Sequence, residues 1–191
     1  MIIYCIFSAD NTHFARLVQA RCAKIDSIGN LRRDMPKEHS MGPFPHDAPP
    51  ATISANNPAG TDGFELVEFA HPEPANLEAL FARMGYVEVA RHKTRDISLY
   101  RQGDINYVVN REPGTHAAHF VAAHGPCAPA MAWRVVDARH ALERAVGLGA
   151  TEYKGGDKTL DVPAVIGIGG SLLYFVDTYG VKGSAYDRDF T

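Results

Sequence analysis

Read for the spacing of apolar residues, the chain changes character near residue 60. Ahead of that point only residues 12–25 hold a helical pattern, with Phe14, Leu17, Val18 and Ile25 as an uneven apolar stripe. Arg32 to Ser40 is polar and without period, and Pro43, Pro45, Pro49, Pro50 and Pro58 follow it. Each proline lacks an amide donor and holds its predecessor in extended backbone, so helix is blocked there. Residues 26–62 are therefore expected to be largely disordered, and residues 1–56 to form an N-terminal extension. Met41 stands directly before the proline-rich part, so a translation start at Met41 instead of Met1 is a further expectation.

Past residue 60 the periods become regular. Phe64 to Phe69 has the β-rich composition of a strand. Pro74 to Met84 predicts a helix: proline suits the first turn, Leu77, Leu80, Phe81 and Met84 fall at i, i+3, i+4 and i+7, and Gly85 ends it. Tyr86 to His92 alternates as a strand, with Tyr86, Val87 and Val89 expected to pack inward. Ile97–Arg101 and Ile105–Asn110 read as a hairpin over Gln102-Gly103-Asp104. A linking helix is expected at 116–124.

The pattern then returns. A strand at 129–136 is followed by a helix from Asp137 to Leu148, capped by Asp137 and stopped by Gly149. Strands are expected at 151–154, within the loop and strand of 158–168, and from Ser171 to Val176. The two copies, about 62–111 and 128–180, each read βαβββ, and their helices match in place and length. The expected fold class is α+β: two βαβββ modules sharing one sheet, as a paired domain over 57–191.

Composition narrows the function mainly by exclusion. The chain has 191 residues, 46% hydrophobic and 21% charged, with a formal charge of −3. A mildly acidic chain does not attract nucleic acid or an anionic membrane surface. The densest basic group, Arg91-His92-Lys93-Thr94-Arg95, is short and reads as a solvated turn. No stretch approaches the ~20 apolar residues of a membrane helix. Met1 to Phe7 is apolar without the basic region and length of a secretory signal. Three cysteines, Cys5, Cys22 and Cys127, are too sparse for a disulfide framework and fit a reducing compartment. A soluble cytoplasmic protein is expected.

Several residues carry candidate chemistry. His116 and His119 share one helical face and are able to meet a metal, but His124 lies ~12 Å along the axis from His116. Glu65 and Glu68 are spaced by three, which strict alternation would send to opposite faces of a strand. Glu68 then reads as a single polar group pointing inward. Gly167-Ile-Gly-Gly170 lacks the Lys-Ser/Thr and the helix of a phosphate loop, so a tight approach before the last strand is the simpler reading. Cys127 has no partner signature of a nucleophile and reads as a small semi-buried residue. Trp133 and Phe175 read as core.

The layout resembles the vicinal oxygen chelate superfamily, whose paired βαβββ modules wrap a metal in an open barrel. Longer strings sharpen this: Asn57-Pro-Ala-Gly-Thr-Asp-Gly-Phe-Glu65, Leu99-Tyr-Arg-Gln-Gly-Asp-Ile-Asn106, His124-Gly-Pro-Cys127, Met131-Ala-Trp-Arg-Val135 and Gly167-Ile-Gly-Gly-Ser-Leu-Leu-Tyr174. With the exit segment Ser184 to Phe190, they resemble the amino-terminal domain of bacterial 4-hydroxyphenylpyruvate dioxygenases over about residues 57–190. The resemblance implies a tyrosine-catabolism dioxygenase that converts 4-hydroxyphenylpyruvate and O2 to homogentisate and CO2. It implies Fe(II) held by two His and one Glu in a carboxy-terminal domain. The corresponding positions here are Leu66, Ala130 and Tyr174, so no catalytic, cofactor or metal residue is expected in this chain. The implied partner is a carboxy-terminal catalytic domain, or a second copy through self-association. Two rival expectations stand beside it: a free-standing small-molecule-binding protein, and a metalloenzyme assembled by dimerisation through His116, His119 or acidic strand residues.

Overall fold

The computed structural model describes residues 51–191. The helix expected at 12–25, the Met41 start and the extension up to residue 50 lie outside the described residues. The elements in chain order are β1 (Thr61–Ala70), α1 (Pro74–Met84), β2 (Val87–Arg91), β3 (Ile97–Gln102), β4 (Ile105–Asn110) and α2 (His116–His124), then β5 (Cys127–Val135), α3 (Ala138–Gly147), β6 (Ala164–Ile166) and β7 (Leu172–Val176).

The helix ends follow local chemistry. Pro74 opens α1, and Gly85 closes it with φ of 89°, a left-handed conformation that costs a side chain but not glycine. Thr115 caps α2 by accepting from the Ala118 amide, and Asp137 caps α3 by accepting from that of His140. The β3–β4 hairpin closes on Gly103-Asp104, with Gly103 again at positive φ.

All seven strands form one sheet in the order β2-β3-β4-β1-β5-β7-β6. β1 runs parallel to β4, β5 runs parallel to β7, and β1 and β5 meet antiparallel. Each module thus places its first strand at the seam and its last strand beside it. The sheet is a duplicated unit, but the second copy is abbreviated. The strand expected at 151–154 is reduced to a single bridge between Glu152 and Val165, and that expected at 158–168 shrinks to three residues. Pro163 has no amide to give a ladder, and Thr159 and Leu160 turn inward as buried loop residues instead.

The two faces of the sheet bury different things. Against α1 lies an aromatic group of Phe69, Phe81, Tyr86, Tyr100 and Tyr107, with Tyr86 and Tyr107 stacked at 4.4 Å. Ala138 and Ala141 of α3 cover Val135, with Phe175 partly buried beside them. The opposite face gathers Leu66, Leu99, Val108, Ala130, Ala132, Leu172 and Tyr174 into one cluster, closed by Leu160 and by Tyr186 and Phe190 of the exit segment. Fully burying each such large apolar side chain contributes about 1.5–3 kcal/mol.

Four expectations need correction. Val87 and Val89 are exposed rather than packed, because β2 is an edge strand whose bulge turns Ala90 inward in their place. Met84 is exposed at the end of α1. Trp133 is half-buried, edge-on to Phe64 at 4.8 Å, instead of sitting in the core. Residues 51–62 are fastened to the domain: the Asn57 side chain accepts from the Thr61 amide and donates to its carbonyl, and the Val136 amide donates to Gly60.

The basic segment 91–95 is also more than a solvated turn. Arg91 and Thr191 exchange two backbone hydrogen bonds of 2.8 Å, and the Lys93 amide donates to Asp189. Arg95 donates to the carbonyls of Lys158 and Thr159. The segment anchors both the exit segment and the loop before β6.

Candidate functional site

The inward-facing register lines up the three positions that the resemblance sets against metal ligands. Leu66 of β1 stands opposite Ala132 of β5, which stands opposite Tyr174 of β7. Ala130 is one step along, opposite Glu68 and Leu172. Leu66, Ala130 and Tyr174 therefore share one face, and each is 1% exposed within a single apolar cluster.

Leucine and alanine bring no donor atom. The Tyr174 hydroxyl accepts from the Thr159 amide at 3.3 Å. Burial, then the charge of Glu68, holds that phenol well above its ordinary range, so it stays protonated. A facial triad needs two imidazoles and a carboxylate facing open positions, and these side chains do not fit such an iron centre. Among the described residues, no group of three or more His, Cys, Asp and Glu is placed to hold a metal ion.

Glu68 is buried, and its Oε1 accepts from Asn110 at 2.8 Å and from the Thr159 hydroxyl at 2.6 Å. Burial raises its pKa against the lowering effect of those two hydrogen bonds and of the His116 and Arg95 charges. Cys127 lies nearby; burial, then the Glu68 charge, pushes its thiol up to about 11. It is a protonated thiol at neutral pH, not an activated nucleophile.

Glu65 departs from the strict alternation expected of it. β1 bulges between Phe64 and Leu66, so Glu65 is an extra residue against β5. Its side chain is buried and accepts from Arg134 Nε at 2.5 Å and from Asn106 Nδ2 at 3.2 Å. Asn106 faces the same side as Leu66, so the bulge delivers Glu65 to the end of the face that Glu68 occupies. The two carboxylates serve separate networks and do not pair.

His116 and His124 are engaged elsewhere. α2 is continuous through His116, His119 and His124, so His124 is not brought back to the first pair. His116 contacts the Gly170 carbonyl at 2.9 Å, and its ring packs on Phe120 and Tyr153; His124 also lies on Phe120. Gly167 to Gly170 makes a tight turn into β7, with the Gly167 amide donating to Ser171 at 2.7 Å.

A second polar cluster escaped the reading of the sequence. Arg101, Asn106, Arg134, Glu65 and Tyr186 line an open cleft of about 180 Å³ at one end of the inward face. Its signal was present: Arg101 continues the inward row Ile97–Leu99, and Arg134 continues Ala130–Ala132. Charged residues on an apolar row mark a place where that row meets solvent or a ligand.

This paired βαβββ arrangement places the chain in the glyoxalase-type, vicinal oxygen chelate class of α+β folds. Residues 55–191 match the family described as hydroxyphenylpyruvate dioxygenase, N-terminal, and the chain belongs to that family. It is 52% identical over 143 residues to Hemolysin VllY of Vibrio vulnificus, covering 72% of this chain and 40% of that protein. It is 46% identical over 136 residues to a 4-hydroxyphenylpyruvate dioxygenase of a Pseudomonas species, covering 70% of this chain and 38% of that one. A 3-dehydroshikimate dehydratase of Pseudomonas aeruginosa is 37% identical over 181 residues, covering 92% of this chain and 28% of the dehydratase. Among solved structures, a xylose isomerase-like TIM barrel/4-hydroxyphenylpyruvate dioxygenase fusion protein superposes with a TM-score of 0.62 at 37% identity, over 75% of this chain and 22% of that one. A mutant 4-hydroxymandelate synthase from Streptomyces coelicolor shares the fold, with a TM-score of 0.56 at 22% identity, over 69% of this chain and 40% of that one. The chain spans about two fifths of the length of the first curated relatives it matches.

Proposed function

We propose that this chain is the non-catalytic amino-terminal half of a 4-hydroxyphenylpyruvate dioxygenase-like protein, whose Fe(II) and chemistry belong to a carboxy-terminal domain. The observation that carries the reading is the trio Leu66, Ala130 and Tyr174: the positions matched to the iron ligands share one buried face and supply no ligand set. The role left to the domain is scaffolding of that catalytic partner. The test is O2 uptake by the full chain with Fe(II), ascorbate and 4-hydroxyphenylpyruvate, beside an iron titration. The expected result is no uptake and no stoichiometric iron; turnover with one iron per chain overturns the reading.

One observation favours a second reading for the surrounding protein. One dehydratase match covers 92% of the chain, which takes in part of the segment before residue 51, whereas the dioxygenase matches cover 64–73% and a second dehydratase match 74%. This supports a protein in which a dehydratase-like part precedes the dioxygenase-like part. Intact mass spectrometry of the protein from its native host decides between them. A species far above 20.8 kDa that contains dehydratase peptides supports the fused form, and a species at that mass removes it.

A further inference from the structure

The cleft at the end of the inward face has an unbalanced hydrogen-bond inventory. Both Glu65 oxygens are engaged, Oε2 by Arg134 Nε and Oε1 by Asn106 Nδ2. Asn106 Oδ1 accepts from Arg101 Nε at 2.7 Å. Among the described residues, the two arginines spend only Nε in this way, and their Nη atoms have no hydrogen-bond partner. The Arg134 guanidinium lies over the Tyr179 ring at 5.6 Å, which fixes its plane.

Tyr186 adds the second, independent observation. It is 5% exposed, lines the cleft, and its hydroxyl has no hydrogen-bond partner among the described residues. The charges acting on that hydroxyl are those of Glu65, Arg101 and Arg134, which places it among the same groups. Burial, then the charge of Glu65 and the approach of its carboxylate to the hydroxyl, hold the phenol well above its ordinary range, so it stays a donor, close to Glu65 but without a hydrogen bond of normal geometry to it. A buried donor left unsatisfied destabilises a fold, and such a group in a native fold calls for an occupant.

We infer that this cleft binds a small monocarboxylate, held by the Nη donors of Arg101 and Arg134 and by the Tyr186 hydroxyl. Two guanidinium groups match the planar fork of a carboxylate. Glu65 and Asp104 offset the two arginines, so the lining has no net charge; a monocarboxylate leaves one uncompensated charge and a dianion such as phosphate two, which disfavours the dianion. The volume of about 180 Å³ holds roughly six waters at ~30 Å³ each, and hence a molecule of only a few heavy atoms. The inference is separate from the proposed function, since none of these residues is among the positions matched to iron.

The test is an NMR titration of the full chain with sodium propionate, following the Arg Nε–H signals, with inorganic phosphate as the comparison. Propionate is expected to shift Arg101 and Arg134 saturably and more tightly than phosphate. Tyr186→Phe removes only the unpartnered hydroxyl; it is expected to keep the melting temperature while weakening propionate about tenfold, the loss of one hydrogen bond of ~1.4 kcal/mol. Arg101→Gln is expected to abolish saturation. If Arg101→Gln does not fold, Tyr186→Phe carries the test alone. No saturable shift in the parent, equal binding in Tyr186→Phe, or tighter binding of phosphate overturns the inference.

Discussion

Glu68 shows how one residue sets a pH-dependent part of the stability. Its carboxyl is 2% exposed, and burial raises its pKa even though Thr159 and Asn110 donate to it. A folded-state value above the ordinary 4.5 means that the folded chain keeps a proton which the unfolded chain has released. Stability then falls as pH rises from the unfolded value through the raised folded value, and the whole of this stabilisation is present below the unfolded value. Glutamine keeps an oxygen for Thr159 and Asn110 but cannot ionise. Glu68→Gln is therefore expected to gain stability relative to the parent as pH climbs above the ordinary carboxyl range. Urea denaturation of both proteins over a pH series checks this. A pH-independent cost of the amide moves the whole difference curve and leaves its slope readable; a flat difference would remove Glu68 as the titrating group.

At the scale of elements, the exit segment acts as a plug for the inward face. Tyr186 and Phe190 join the main cluster, Phe190 bridges to His92, and Arg91 and Thr191 bond reciprocally. Phe190 is 6% exposed, so Phe190→Ala leaves a cavity and is expected to cost about 3–5 kcal/mol in a urea denaturation series. A loss below about 1 kcal/mol would mean that the segment lies on the surface without closing the core. The segment was legible in the sequence only through its resemblance to a known family. Its destination was not, because nothing local in residues 184–190 specifies contact with a segment some hundred positions earlier. The same limit explains β2. Its alternation was clear, but an edge position and a bulge decided that Val87 and Val89 face outward.

For the whole molecule, duplication places both modules' first strands at the centre of the sheet. Val108, Val109, Ala132 and Val135 there are fully buried, while β2 lies at an edge with little cover. Amide hydrogen exchange is expected to be slowest in β1, β4 and β5 and faster in the two edge strands, β2 and β6, because edge strands open without breaking the core. Exchange in β2 as slow as in β1 would point to another surface covering that edge.

The sequence by itself determined the helices and the central strands with their apolar faces, since these depend on periods of 2 and 3.6 and on caps such as Pro74, Gly85 and Asp137. It also placed Leu66, Ala130 and Tyr174 on strands, through their resemblance to a known family. Tertiary structure alone decided the rest. The bulge at Glu65 carries that carboxylate to Arg134 and Asn106. The truncated second module turns Thr159 inward to meet Glu68. Arg101, Arg134 and Tyr186, from two hairpin-distant strands and the chain's last residues, converge on one cleft. Local propensity fixes a residue's period, but a site built from residues 101, 134 and 186 exists only once register and packing have brought three separate stretches of chain together.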